Sequence, residues 1–448
     1  MARSFFSLVA MVGLLFSGAA SAQAARVVTL KEALKLAAEK SPDLAVAKAQ
    51  VDGVWEQTNR VWGAVLPELS VTGSLVRTSA PAELDLGQLI GLVGGVYRLQ
   101  PQMPELIPSP VSIVGRNSAY ATVQLSQLIF TPQILMIAAI DPARKAADYG
   151  GMEAKEQVLL GVARVYLGLQ GVEQLEQAAL DAEKVALKRE KDAKAQMNAG
   201  MAVEVAVLRA QTETAQARSV LAQLNGQRQA LTAMLEALTT EAIRPEPFSP
   251  NNDWGQAGGE AQSPWENAPM LKSTRKQIEV QEVMVRTDAW SWAPTLAGLA
   301  KGNYNSNAGF SGTNLSYDFI LALNWTIYDR GERHARFREN QAKLRGLHAT
   351  SASTQAKAKA NWVAAKANLE AARVALEQAE SQAQLATRAQ KQVEAAFSAG
   401  VSTALELSDI DSKRFFAASS VAQARSALEI RKVEMAAAEG RLAAAAGL

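Results

Sequence analysis

The chain carries its own pattern twice. Pro42-Asp43-Leu44 returns as Pro269-Met270-Leu271, and Pro67 returns as Pro294, both at an offset of 227 residues. Farther on, Ser126-Gln127-Leu128-Ile129-Phe130 has its counterpart in Asn324-Trp325-Thr326-Ile327-Tyr328, and Ala199-Gly200 returns as Ala399-Gly400. These later offsets are 198 and 200, so roughly 29 residues separate the two copies between Pro67 and Phe130. A helix–strand–strand–helix–helix unit used twice is the organising object. The first copy spans 25–240 and the second 266–448, with a linker at 241–265 rich in proline and glycine (Pro245, Pro247, Pro250, Gly258, Gly259, Pro264).

Composition removes several classes of function. The net charge is +2 with 20% charged residues, which argues against nucleic-acid binding. The absence of cysteine excludes disulfides, thiolate metal sites, cysteine nucleophiles and a lipid-modified N-terminal cysteine. His334 and His348 are the only histidines, placed among basic residues as solvated helix positions are. So thin an inventory predicts neither an enzyme nor a cofactor or metal. Residues 1–24 read as a signal peptide. Arg3 supplies the basic end, Phe5 to Phe16 the apolar core, and cleavage falls after Ala22 or Ala24. No later apolar run is long enough for a spanning helix, so an exported chain of this kind crosses a membrane only by strands.

Four segments alternate as strands do, at about 67–77, 119–130, 294–303 and 315–328. In the first, Leu69, Val71, Gly73 and Leu75 point one way while Ser70, Thr72 and Ser74 point the other. In the last, Leu315, Tyr317, Phe319, Leu321, Leu323 and Trp325 oppose Ser316, Asp318 and Asn324. Each is near the 9–11 residues a tilted transmembrane strand needs. A half-buried soluble sheet shows the same alternation, and on the strands alone the two readings stand level.

The helices separate them. Thr29-Leu30-Lys31-Glu32 is a capping box opening a helix over about 30–63, and Asp141-Pro142 is an N-cap followed by proline. Val158, Val162, Val165, Leu169 and Val172 form a coiled-coil stripe, repeated in Trp362, Ala365, Leu369, Ala372, Leu376 and Ala379. These arms run on the order of 90 Å. They turn at 198–201 and 398–401, where Gly200 and Gly400 accept the left-handed conformation.

On these residues the chain resembles the TolC-like outer-membrane efflux proteins over its mature length. The resemblance rests on Ser41-Pro42, on the corners 125–130 and 323–329, and on Gly400-Val401-Ser402-Thr403-Ala404-Leu405-Glu406-Leu407-Ser408-Asp409. It implies an α+β membrane protein, with long antiparallel coiled-coil hairpins and four transmembrane strands per chain. In a homotrimer these close a twelve-stranded barrel continued by a periplasmic helical tunnel. The implied function is the exit duct of a tripartite efflux or type I secretion system in the outer membrane. Its partners are a periplasmic adaptor, an inner-membrane pump reached through that adaptor, and outer-membrane lipid. The alternative is a soluble periplasmic coiled-coil adaptor or scaffold, although adaptors carry one hairpin and this chain has two.

The resemblance also assigns sites. Glu406 and Asp409, spaced i, i+3, would form carboxylate rings at the lumenal gate. Ser402 stands where some members carry a basic latch residue, and Ala206 replaces the acid in the first copy. The tips Asn198, Ala199, Gly200, Met201 and Ser398, Ala399, Gly400, Val401 would dock the adaptor. The insertion 79–118, with its apolar centre Ile90–Val96, reads as an extracellular lid.

Overall fold

A computed structural model describes residues 26–63, 65–84, 111–248, 263–307 and 312–448. The signal segment, the centre of the 79–118 insertion and most of the linker lie outside the described residues. In chain order the first copy holds β1 (Arg26–Val28), α1 (Leu30–Lys40), α2 (Pro42–Gly63), β2 (Glu68–Arg77), β3 (Ala82–Leu84), β4 (Val111–Val114) and β5 (Asn117–Phe130). It continues with α3 (Ile140–Asn198) and α4 (Glu204–Thr239). After β6 (Ile243–Pro245) come α5 (Pro269–Ala289), β7 (Thr295–Asn305), β8 (Leu315–Asn324), α6 (Glu332–Ser398), α7 (Ala404–Ala438) and α8 (Leu442–Ala446). The chain divides into two compact units: Met1–Ala47 with Ala154–Trp265 and Lys359–Leu448, and Lys48–Glu153 with Glu266–Ala358.

The first unit is helical around an apolar core. Thr29 caps α1 with Glu32 in a reciprocal capping box, and α1 buries Leu30, Ala33, Leu34 and Ala37. Ser41 ends that helix and Pro42 opens the next, because proline suits a first turn and cannot continue an interior one. β1 and β6 form a two-stranded parallel ladder over this core. Tyr166 fastens it: its buried hydroxyl donates to the Val28 carbonyl at 2.8 Å and accepts from the Glu246 amide at 3.2 Å. Burial drives its pKa well above the ordinary phenol range. Val162, Val165, Leu169 and Val172 of the stripe are buried, as are Leu235, Val433 and Leu442 from other helices.

The second unit is a four-stranded antiparallel sheet, order β2-β5-β7-β8, with helical supports. A 3-10 segment, Pro132–Ala139, runs straight into α3, so Asp141 lies in the first turn instead of capping it. α5 packs on that segment. Arg144 ties α2 to α3, donating to Thr58 Oγ1 at 2.8 Å and lying 4.5 Å over the Trp55 ring. β8 stops at Asn324, four residues short of the sequence expectation. There the Trp325 indole N–H donates to the Trp292 carbonyl at 3.0 Å and turns the chain out of the ladder. β3 and β4 pair as the base of the 79–118 insertion.

Candidate functional site

The sheet register sorts the side chains into two faces without exception at its centre. One row runs Leu69–Leu125–Ala300–Phe319 and the next Val71–Val123–Gly302–Tyr317. The intervening rows, Ser70–Gln124–Lys301–Asp318 and Thr72–Thr122–Asn303–Ser316, face the other side. The polar rows are knitted together: Asn303 Nδ2 donates to Asp318 Oδ2 at 2.9 Å, and Thr122 Oγ1 donates to Asn303 Oδ1 at 3.1 Å. The apolar rows are bare, with Leu75 89% and Phe319 81% exposed. A contiguous apolar surface of this kind needs a covering. β2 and β8 each pair on one side only within this sheet, leaving two edges unpaired. Among the described residues no helix is long and apolar enough to cross a membrane.

The strand-to-helix corner of the second copy is built around Arg333, a residue the sequence reading passed over. It is 7% exposed. Its guanidinium lies 4.1 Å over the Trp292 ring and donates to Asp329 Oδ2 at 2.7 Å, to the Ser291 carbonyl at 3.2 Å and to the Thr326 carbonyl. Asp329 also accepts from the Arg333 and Gly331 amides. Arg330 and Gly331 both take positive φ, 60° and 86°, to make this corner.

Both hairpin tips share one geometry. Gly200 at φ 74° donates to the Met197 carbonyl at 2.9 Å, and Met201 donates to Gln196 at 2.8 Å. Gly400 at φ 75° donates to Phe397 at 3.0 Å, and Val401 to Ala396 at 2.9 Å. This double bond pattern is the Schellman ending, which requires a left-handed residue at that place. Asn198 and Ser398 close the ascending helices, and Ala199 and Ala399 precede the glycines. Beside the turns stand exposed apolar side chains: Met201, Val203 and Val205 on one tip, Val401 (82% exposed) and Leu405 on the other.

Glu406 and Asp409 are both exposed in the first turns of α7. Glu406 is committed to its own helix start: Oε2 accepts from Ser402 Oγ at 2.6 Å and from the Thr403 amide at 3.0 Å, while Thr403 Oγ1 caps the Glu406 amide at 3.2 Å. The Ser402 hydroxyl first, and the Thr403 amide after it, hold the Glu406 carboxyl below the usual carboxylate range. Asp409 Oδ2 pairs with Lys413 at 2.7 Å. In the first copy Val203 opens α4 with no side-chain cap.

Above the tips, Arg189 joins three helices. From α3 its Nε donates to Asp411 Oδ2 of α7 at 3.0 Å, and its Nη2 donates to Glu394 Oε1 of α6 at 3.2 Å. Gln390 completes the cluster, 3.2 Å from both carboxylates. Partial burial pushes the Glu394 carboxyl up, but Arg189 beside it outweighs this and leaves it below the ordinary range. Glu213 of α4 accepts from the Ser408 hydroxyl of α7. Among the described residues no group of three or more His, Asp or Glu side chains is placed to hold a metal.

An amphipathic sheet with two open edges and two glycine-tipped helical hairpins define the fold. Residues 262–448 match the family model described as Outer membrane efflux protein. No curated protein matches the chain by sequence. Among solved structures, a membrane protein from Pseudomonas aeruginosa aligns at TM-score 0.78 and 16% identity, covering 92% of this chain and 93% of that one. CmeC, an outer-membrane channel of Campylobacter jejuni, aligns at 0.77 and 13%, covering 92% and 86%. The outer-membrane protein VceC of Vibrio cholerae aligns at 0.75 and 14%, covering 92% and 96%. At these identities the likeness is one of fold, and it extends over both copies of the repeat.

Proposed function

We propose that the chain is one protomer of a homotrimeric outer-membrane duct, the exit stage of a tripartite efflux or type I secretion system. The observation that carries this reading is the sheet: an apolar face in register across four strands, with both edges open. Its strands alternate in direction, so β8 of one copy meets β2 of the next antiparallel, and added copies extend the sheet until it closes. The apolar rows then face outer-membrane lipid and the Lys301–Asp318 rows face water. The hairpins form a helical wall in the periplasm, and the apolar tips around Gly200 and Gly400 dock the helical hairpin of an adaptor that links the duct to an inner-membrane pump.

In this reading Glu406 and Asp409 ring the gate through the oxygens that their helix-start and Lys413 bonds leave uncommitted, Oε1 and Oδ1. The Arg189–Asp411–Glu394 cluster holds the two hairpins of a protomer together. The experiment is direct. The purified protein should run as a heat-resistant trimer and conduct ions in planar bilayers. Glu406→Gln with Asp409→Asn should lower its cation preference and its block by divalent ions. A monomer that carries no current would overturn the proposal.

A further inference from the structure

Within the helical unit, α3, α4 and α7 line a half-open cavity of about 300 Å³. Its walls are largely apolar: Ala182 and Val185 from α3, Ala217 and Val220 from α4, and Phe415 and Phe416 from α7. That volume lies at the lower end of those that hold small organic ligands, and the lining has the mixture such sites show, apolar surface with a few charged groups.

The charges are unequally provided for. Three acids line the cavity and each has a donor. Asp411 accepts from Arg189 and Gln390, Asp181 accepts from Lys184 Nζ at 3.2 Å, and Glu213 accepts from the Ser408 hydroxyl. The cation Arg189 is spent on Asp411 and Glu394. Arg414 is different. It lines the same cavity and is half-buried, yet among the described residues it makes neither a hydrogen bond nor an ion pair. A guanidinium offers five N–H donors in a rigid fork, shaped for a carboxylate, sulfonate or phosphate.

We propose that this cavity binds an amphipathic anion: an aromatic or aliphatic body held among Phe415, Phe416 and the alanines, with its acid group on Arg414. Among the charged groups of the lining, Arg414 alone has neither a hydrogen bond nor an ion pair among the described residues. Because α3 and α4 belong to one hairpin and α7 to the other, such a ligand spans both, and its binding stabilises their packing by mass action.

The test uses 8-anilinonaphthalene-1-sulfonate, two apolar ring systems with one sulfonate, and neutral N-phenyl-1-naphthylamine, the same rings without the charge. Both are titrated by fluorescence into the full-length protein held in amphipol. The sulfonate probe should bind the native protein saturably. Arg414→Gln should weaken that binding by about tenfold, the worth of a charge-assisted contact, while changing the neutral probe's affinity less than about twofold. Ala217→Trp, which fills the cavity, should weaken both probes. Ala182→Leu serves the same purpose if the tryptophan variant does not fold, as judged by its melting curve. Unchanged sulfonate affinity in Arg414→Gln overturns the charge assignment, and unchanged affinity for both probes in the filled variant overturns the site. Probe bound elsewhere on apolar surface appears equally in native and variant proteins and cancels. Binding is read without current, so its failure leaves the duct reading untouched.

Discussion

Arg189 holds two carboxylates from helices whose residues lie more than 200 positions away in the chain. Replacing it with methionine keeps the length of the side chain but leaves Asp411, 13% exposed, without its cation, while Glu394 keeps only the cation of Lys188 at 3.6 Å. Breaking a pair this buried costs about 3 kcal/mol. Arg189→Met should lower the melting temperature of the assembled protein and raise its open probability in bilayers. An unaltered melting curve would remove the cluster from the account. Glu406 gives a pH test. Its folded pKa lies below the ordinary 4.5. Its capping contribution is therefore complete above pH 4.5 and is lost only as pH falls through the lower folded value. Tip opening, followed by single-channel current, should thus stay level down to that pH and rise on further acidification. Glu406→Gln should flatten the rise.

At the scale of the element, α3 crosses α7 closely at Gly171. A Cβ placed on Gly171 would meet Ser426 Oγ at 2.7 Å and its Cβ at 2.8 Å, while that hydroxyl donates to the Leu167 carbonyl at 2.9 Å. Gly171→Ala should cost about 2 kcal/mol by overpacking, and Ser426→Gly should restore part of it in the double variant. Additive losses in a thermal double-mutant cycle would place the strain elsewhere.

The helical hairpins and the four strands of the sheet were legible in the sequence because their periods are local. β7 gave the weakest signal: between Leu296 and Tyr304 its apolar face is Gly298, Ala300 and Gly302, small residues opposite Leu321, Phe319 and Tyr317 of β8, so the alternation fades there. The corner at Arg333 and the Arg189 cluster left no pattern, since their partners are backbone carbonyls or residues far along the chain. Glu406 and Asp409 were assigned to the gate by the resemblance alone, and the bonds that tie them to Ser402, Thr403 and Lys413 required coordinates.

For the whole molecule, the two faces of the sheet make opposite demands on the same substitution. Phe319→Lys places a charge amid the apolar rows and should cost about 2–4 kcal/mol of membrane stability, if that row lies near the bilayer midplane. Three residues away, Ser316→Lys sits in a polar row and should insert normally. Equal recovery of the two variants in the membrane fraction would mean the faces are assigned wrongly. The open edges at β2 and β8 carry a consequence for the protein's life before assembly. On the proposed assembly, a newly exported protomer would cross an aqueous compartment with a greasy surface and unpaired amides, the very features that attract proteases and stray strands. Its yield must therefore depend on escort and on how many siblings are made at once, so that synthesis rate, more than intrinsic stability, limits how much of it matures.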